Sequence, residues 1–152
     1  AGGTTGHPSN GRVPYLVENT IDVSAVNGDS GAAQNDILRC IDVPAETMVL
    51  HASMEILTQF SNSVTLDLGM TQVSGNPATD VDVFVDGDAK EIGYSVMTAT
   101  ARPVFAVAGT IDVKVLDAAA AAGKVRVFAL LCDVSGLDED DNNTSTQHDT
   151  AV

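Results

Sequence analysis

Tryptophan is absent from this sequence, and aromatic residues make up only 4% of it. Its apolar share of 44% is ordinary, so any core must be built from Val, Ile, Leu, Ala and Met. Such a core favours sheet packed on sheet. Basic residues are also scarce: seven Lys and Arg stand against twenty-one Asp and Glu, a formal charge of -14. That balance repels phosphate backbones and anionic lipid surfaces, so neither nucleic acid nor membrane is an expected partner. Long apolar runs are missing too. Phe128 to Cys132 is typical, far below the roughly 20 residues a membrane-spanning helix needs. The first residues, Ala1-Gly2-Gly3-Thr4-Thr5-Gly6-His7-Pro8, have no basic start and no apolar h-region, so they do not read as a retained signal peptide. Ala1 is a residue that could follow removal of an initiator Met.

Two cysteines are too few for a disulfide framework or a metal-ligand cluster. Cys40 and Cys132 sit in similar apolar, strand-like settings and are expected to be reduced core residues, with a disulfide between neighbouring strands as the alternative. No G-x-x-x-x-G-K-[ST], G-x-G-x-x-G or C-x-x-C occurs, and no cofactor is expected.

The 152 residues fit one domain with extended ends. Residues 1–14 are rich in Gly, Thr, Asn and Pro and form an N-terminal arm. Residues 136–152, which include Asp138-Glu139-Asp140-Asp141, form an acidic and polar C-terminal tail. Neither end has enough apolar surface to fold alone, so each is expected to be held by other subunits of an assembly. The body, 15–135, is dominated by period-two alternation. Met48, Leu50, Ala52, Met54 and Ile56 alternate with Thr47, Val49, His51, Ser53, Glu55 and Leu57. After Ser61-Asn62-Ser63, the residues Val64, Leu66, Leu68 and Met70 alternate with Thr65, Asp67 and Gly69, which predicts a hairpin with the preceding strand. Further strands are expected at Asn19–Ala25, Asp36–Val43, Val81–Val85, Glu91–Met97, Pro103–Val107, Thr110–Leu116 and Lys124–Val134.

Turn chemistry separates these segments at Asn27-Gly28-Asp29, Gly75-Asn76-Pro77, Asp86-Gly87-Asp88 and Ala108-Gly109. Only Asp117–Ala122 is helix-prone, and Gly123 stops it, so one helical turn at a hairpin tip is the most it can make. Roughly eight or nine strands without a helical layer predict an all-β fold: an antiparallel β-sandwich of jelly-roll type. Thr-Ile-Asp-Val occurs at Thr20 and again at Thr110; a duplicated sandwich half could explain the repeat, but β-branched residues with an Asp recur easily at strand starts, which is the favoured reading.

Candidate chemistry is thin. Of His7, His51 and His148, only His51 lies in the body, and with Ser53 and Glu55 it sketches a triad along one strand. A triad needs its nucleophile at an exposed elbow with oxyanion donors nearby, and no such turn is present, so no enzyme is expected. Asp80 to Glu91 is rich in acids and suggests a calcium loop. Aligned on Gly87, however, Phe84 falls where a ligand carboxylate belongs and Glu91 comes two positions early, so a strand leading into an Asp-Gly turn fits better.

Five segments carry a resemblance to small virion structural proteins of tailed bacteriophages, marine ones in particular. They are Asp36-Ile37-Leu38-Arg39-Cys40-Ile41-Asp42-Val43-Pro44-Ala45, Thr65-Leu66-Asp67-Leu68-Gly69, Asp82-Val83-Phe84-Val85-Asp86-Gly87, Gly109-Thr110-Ile111-Asp112-Val113 and Gly123-Lys124-Val125-Arg126-Val127-Phe128-Ala129-Leu130. The resemblance implies a capsid decoration or cement protein. It would be an oligomer, with a homotrimer the expected form, seated on the phage head surface against the major capsid protein and assembled in the host cytoplasm. Arg12, Val13, Pro14, Tyr15 and Leu16 are the expected partner-binding segment, because Tyr15 and Leu16 add an apolar anchor to a polar arm. Alternatively, Tyr15 and Leu16 begin the first core strand. The other functional expectation is a tail-associated or lectin-like sandwich binding a receptor or glycan, although sugar sites usually stack on aromatics and the tyrosines here are only Tyr15 and Tyr94.

Overall fold

Where apolar side chains recur at every second position, the chain forms strands. The computed structural model describes residues 12–72, 79–89, 91–98, 100 and 102–135. Among these it has nine strands: β1 (Tyr15–Asp22), β2 (Ile37–Val43), β3 (Thr47–Thr58), β4 (Thr65–Gln72), β5 (Asp80–Ala89), β6 (Gly93–Val96), β7 (Val104–Phe105), β8 (Gly109–Leu116) and β9 (Lys124–Asp133).

The strands build two antiparallel sheets. One runs β1-β9-β3-β6 with β7 also on β3, and the other runs β2-β8-β4-β5. Each early strand pairs with a late one: β1 with β9, β2 with β8, β3 with β6 and β7, and β4 with β5. This is a long antiparallel hairpin rolled up until its arms alternate between two sheets, the jelly-roll arrangement the strand count predicted.

The inward side chains close the sandwich. Val49, Met54 and Ile56 of β3, Val125, Val127 and Leu131 of β9, Leu66 and Leu68 of β4, and Ile111, Val113 and Val115 of β8 all belong to one buried cluster. Each fully buried side chain of this kind contributes about 1.5–3 kcal/mol relative to exposure, which explains how a chain without tryptophan holds a core.

Several local expectations are corrected. The predicted hairpin of β3 with β4 does not form, because the link after β3 crosses to the opposite sheet. Phe60 is buried in that link, and Ser61 Oγ accepts hydrogen bonds from Ala121 N at 2.9 Å and Ala122 N at 3.2 Å, so the crossing is pinned to the β8–β9 connection. That connection is not helical. Asp117 has φ 67, and Ala120 bridges to Ala32.

β1 stops at Asp22, earlier than expected, because its carboxylate accepts from Ser24 N at 3.1 Å and caps a 3-10 turn at Val23–Ala25. In β3 the alternation itself breaks. A bulge between Val49 and His51 puts Thr47 and Val49 inward together with Ala52, Met54 and Ile56, leaving Met48 half-buried on the other face. The two Thr-Ile-Asp-Val copies take unrelated roles, one ending at the capped turn and the other running along central β8.

Cys40 lies on β2 and Cys132 on β9, in different sheets, and both are buried free thiols. Burial, with a smaller contribution from the Asp112 charge and opposed by a hydrogen bond from the Val113 backbone, pushes the Cys40 thiol up to about 12. It therefore remains protonated and unreactive at neutral pH.

Candidate protein interface

From Val127 to Cys132, β9 is apolar on both faces. Val125, Val127, Ala129 and Leu131 point inward, while Phe128 and Leu130 are only half-buried on the outside. The register assembles a surface around them. Leu130 lies opposite Leu16 of β1 on one side and His51 of β3 on the other. Phe128 lies between Glu18 and Ser53, and Ser53 is in turn opposite Val96 of β6. Met48 and Cys132 face each other at one end, with Val104 of β7 beyond Met48.

Leu16 is 66% exposed and Val96 61% exposed, so apolar side chains reach solvent at both edges of the sheet, with Ser53 and His51 of β3 between them. At its other end the band becomes charged. Arg126 donates to Glu55 Oε2 from Nε at 3.1 Å and also from Nη2, and its guanidinium lies 4.9 Å from the Phe128 ring centroid. Beyond it, Lys124 pairs with Asp22 at 3.4 Å. An apolar strip with a charged margin of fixed geometry has the anatomy of a protein–protein contact, an apolar centre inside a charged rim.

The expected partner-binding segment falls beside this strip. Arg12 Nη2 donates to Ser135 O at 2.6 Å, tying the segment to the end of β9. Val13 and Pro14 are exposed, and Tyr15 and Leu16 begin β1. Neither of these two is a core residue. Leu16 stands on the outer face, and Tyr15, opposite Leu131, is also exposed. Residues 1–11 and 136–152 of the expected arm and tail lie outside the described residues.

Val96, Phe128 and Leu130 were not among the expected site residues. A usable signal was present in Val127–Cys132, a continuous apolar run, the pattern of a strand covered on both faces. His51, Ser53 and Glu55 do lie near one another on β3, but Glu55 is engaged by Arg126 and Ser53 stands between Phe128 and Val96. The three do not form a relay.

On the opposite sheet the acids of β5 are spread along the strand. Asp80, Asp82 and Asp86 are exposed, Glu91 accepts from Gln59 Nε2 at 3.2 Å, and among the described residues no three His, Cys, Asp or Glu side chains converge on a metal position. Asp67 of β4 is buried beside them, and its Oδ1 accepts from Gly87 N at 2.7 Å. Burial holds its carboxyl above the ordinary value of 3.8. The charges of Asp82 and Asp86 push the same way, while the Gly87 hydrogen bond and Lys114 oppose them.

A raised folded value means that the folded protein holds this proton more tightly than the unfolded chain. The stability Asp67 contributes is therefore full below 3.8 and is lost as pH rises through the raised value. Asp67→Asn keeps an acceptor for Gly87 and removes the charge. It should raise Tm at pH 7 by about 3 °C, and thermal melts should show the gain shrinking toward pH 4. A gain independent of pH would assign the effect to packing instead.

No protein-family model matches the sequence, and no curated protein matches it. Solved structures do match. A chain in the cyanophage Pam1 capsid asymmetric unit superposes with a TM-score of 0.62 at 15% identity, covering 84% of this chain and 91% of that one. A chain in the capsid of Ralstonia phage GP4 gives 0.59 at 16% identity, covering 84% and 88%. A chain in the acidic stable capsid structure of Helicobacter pylori bacteriophage KHP30 gives 0.54 at 12% identity, covering 79% and 87%. At these identities the likeness is one of fold, and it agrees with the resemblance carried by the strand and turn segments of the sequence. The chain shares its jelly roll with a chain in each of three bacteriophage capsid structures.

Proposed function

We propose that this protein is a structural component of a bacteriophage head, a decoration protein that docks on the major capsid protein through the outer face of the β1-β9-β3-β6 sheet. The observation that carries this is the outward-facing apolar group of exposed Leu16 and Val96 with half-buried Phe128 and Leu130, on a fold shared with chains in phage capsids. Jelly rolls serve many purposes, so the site rather than the fold argues for subunit packing.

Such a role needs no chemistry. Copies that bridge neighbouring shell subunits stabilise the assembled state by mass action, and a trimer presenting three faces together with arms multiplies weak contacts into firm attachment. Arg12 to Leu16 begin at the edge of the band, where the arm could extend the contact onto a neighbouring subunit. The charge of -14 suits a basic rim on the partner and aids solubility before assembly.

Copy number tests this directly. In purified particles the protein should be present at a level comparable with the shell protein. A few copies per particle would overturn the decoration role and favour a tail-associated receptor or glycan binder.

A further inference from the structure

Asp112 stands in the middle of β8 and is only 4% exposed, yet among the described residues neither of its carboxylate oxygens has a hydrogen-bond partner. Thr71 Oγ1 on β4 is buried and unpartnered in the same way. The register brings the two together. Asp112 is directly opposite Gly69 and Thr110 is opposite Thr71, so Asp112 and Thr71 are diagonal neighbours. Ile111, Val113 and Val115 fill the core, so alternation turns Asp112 to the sheet's other face.

β5 covers that face at this point. A Cβ on Gly69 would come within 2.3 Å of the carbonyl oxygens of both Asp80 and Val81, and within 2.1 Å of the Val81 carbonyl carbon. Two carbonyls thus occupy the place a side chain would take beside Asp112, where an irregular stretch of β5 passes over β4. Only glycine permits the approach.

A buried carboxylate without a donor, on the same face and opposite a glycine that two carbonyl oxygens crowd, is electrostatically unfavourable unless something positive lies nearby. Arg39 of β2 is the Cα partner of Asp112, but it is exposed and makes no ion pair with it; the ion pairs among the described residues are Lys124–Asp22 and Arg126–Glu55.

We propose that this protein binds a calcium ion between β4, β5 and β8, held by the Asp112 carboxylate, Thr71 Oγ1 and the backbone carbonyls of Asp80 and Val81. All the donors are oxygen, which selects a hard cation. The mix of carboxylate, hydroxyl and carbonyl on three strands suits the loose geometry of calcium rather than magnesium, which keeps its water shell and demands a near-ideal octahedron. One carboxylate makes the site weak, with a Kd on the order of 10⁻⁴ to 10⁻³ M. Bound calcium fastens the first half of β5 onto the sheet opposite the interface, so this inference does not depend on the proposed function.

The test is calorimetry and thermal melting of the full chain, stripped with chelator and then titrated with calcium, magnesium or sodium chloride. One calcium per chain and a Tm several degrees higher at about ten times Kd are expected. Asp112→Asn should abolish both effects and, in chelator, melt above the stripped wild type, because the uncompensated charge is gone. Asp42→Asn, an exposed acid on β2, should keep them.

Thr71→Val should weaken binding about tenfold, the loss of one contact to a charged partner. No calcium isotherm with the wild type overturns the proposal, as does an equal Tm gain in Asp112→Asn. Equal affinity for magnesium overturns the assignment to calcium. Should Asp112→Asn fail to fold, Thr71→Val decides, and unchanged affinity there rejects the cage.

Discussion

Phe60→Ala is expected to lower the unfolding free energy by about 3–4 kcal/mol, a large part of the roughly 5–15 kcal/mol available to a domain of this size. Phe60 lies in the link that carries the chain from the first sheet to the second, and its ring is 2% exposed. The ring rests where Gly123 has no side chain. A Cβ at Gly123 would approach ring atoms Cγ and Cδ1 to 2.5 Å, and Gly123 also has φ +146, a conformation L side chains rarely adopt.

Gly123→Ala should therefore cost about 2–3 kcal/mol from two sources, the backbone strain and the clash with the ring. Only the second depends on Phe60. The double variant should then lose about 1–2 kcal/mol less than the sum of the single losses, which denaturant unfolding with unchanged m-values would measure. Strict additivity would show that ring and glycine do not share this notch. The neighbouring backbone makes the site hard to repack, since Val23 N donates to Gly123 O at 2.8 Å and Ser61 N to Ala122 O at 2.9 Å.

What the sequence revealed, and what it hid, follows from how local each determinant is. β4, β8 and β9 were legible because their alternating apolar residues face one core without interruption. β3 was legible as a strand but not in its facing. Leu50 is apolar, so the bulge beside it leaves no mark on the pattern while reversing which side chains before it point inward.

The Ser61-Asn62-Ser63 segment has good turn chemistry, and nothing local distinguishes a turn back into the same sheet from a crossing. The decision comes from Phe60 and Ser61 meeting a connection some 60 residues later, as the Ser61 contact with Ala121 shows. For the interface, Leu16 was readable as an apolar residue beside a polar arm. Val96 was not, since it joins the band only through pairing of β6 with β3. Asp112 was the least legible of all. Alternation sends it to the outer face, where an Asp ordinarily meets water, and only the passage of β5 over Gly69 buries it.

Leu16→Asp combined with Leu130→Asp should reduce attachment to capsids by at least ~100-fold while leaving the sandwich folded. The two residues are Cα partners on β1 and β9, and both project from the outer face, so the exchange opens no cavity in the core. Within an interface each new carboxylate would be buried against apolar surface with no donor, at a cost of about 1–3 kcal/mol even when partly compensated. Two such residues within one contact account for the expected loss.

A control lies at the charged end of the same face. Lys124→Met breaks the exposed pair with Asp22, which is worth about 0–1 kcal/mol, and should leave attachment nearly unchanged. Occupancy on capsids lacking the protein, measured by co-sedimentation, reads both variants, and circular dichroism confirms that each is folded. If the double aspartate variant binds as the parent does, the outer face of β9 is not the docking surface. Attachment must then be sought among the exposed loops and the two polar ends of the chain.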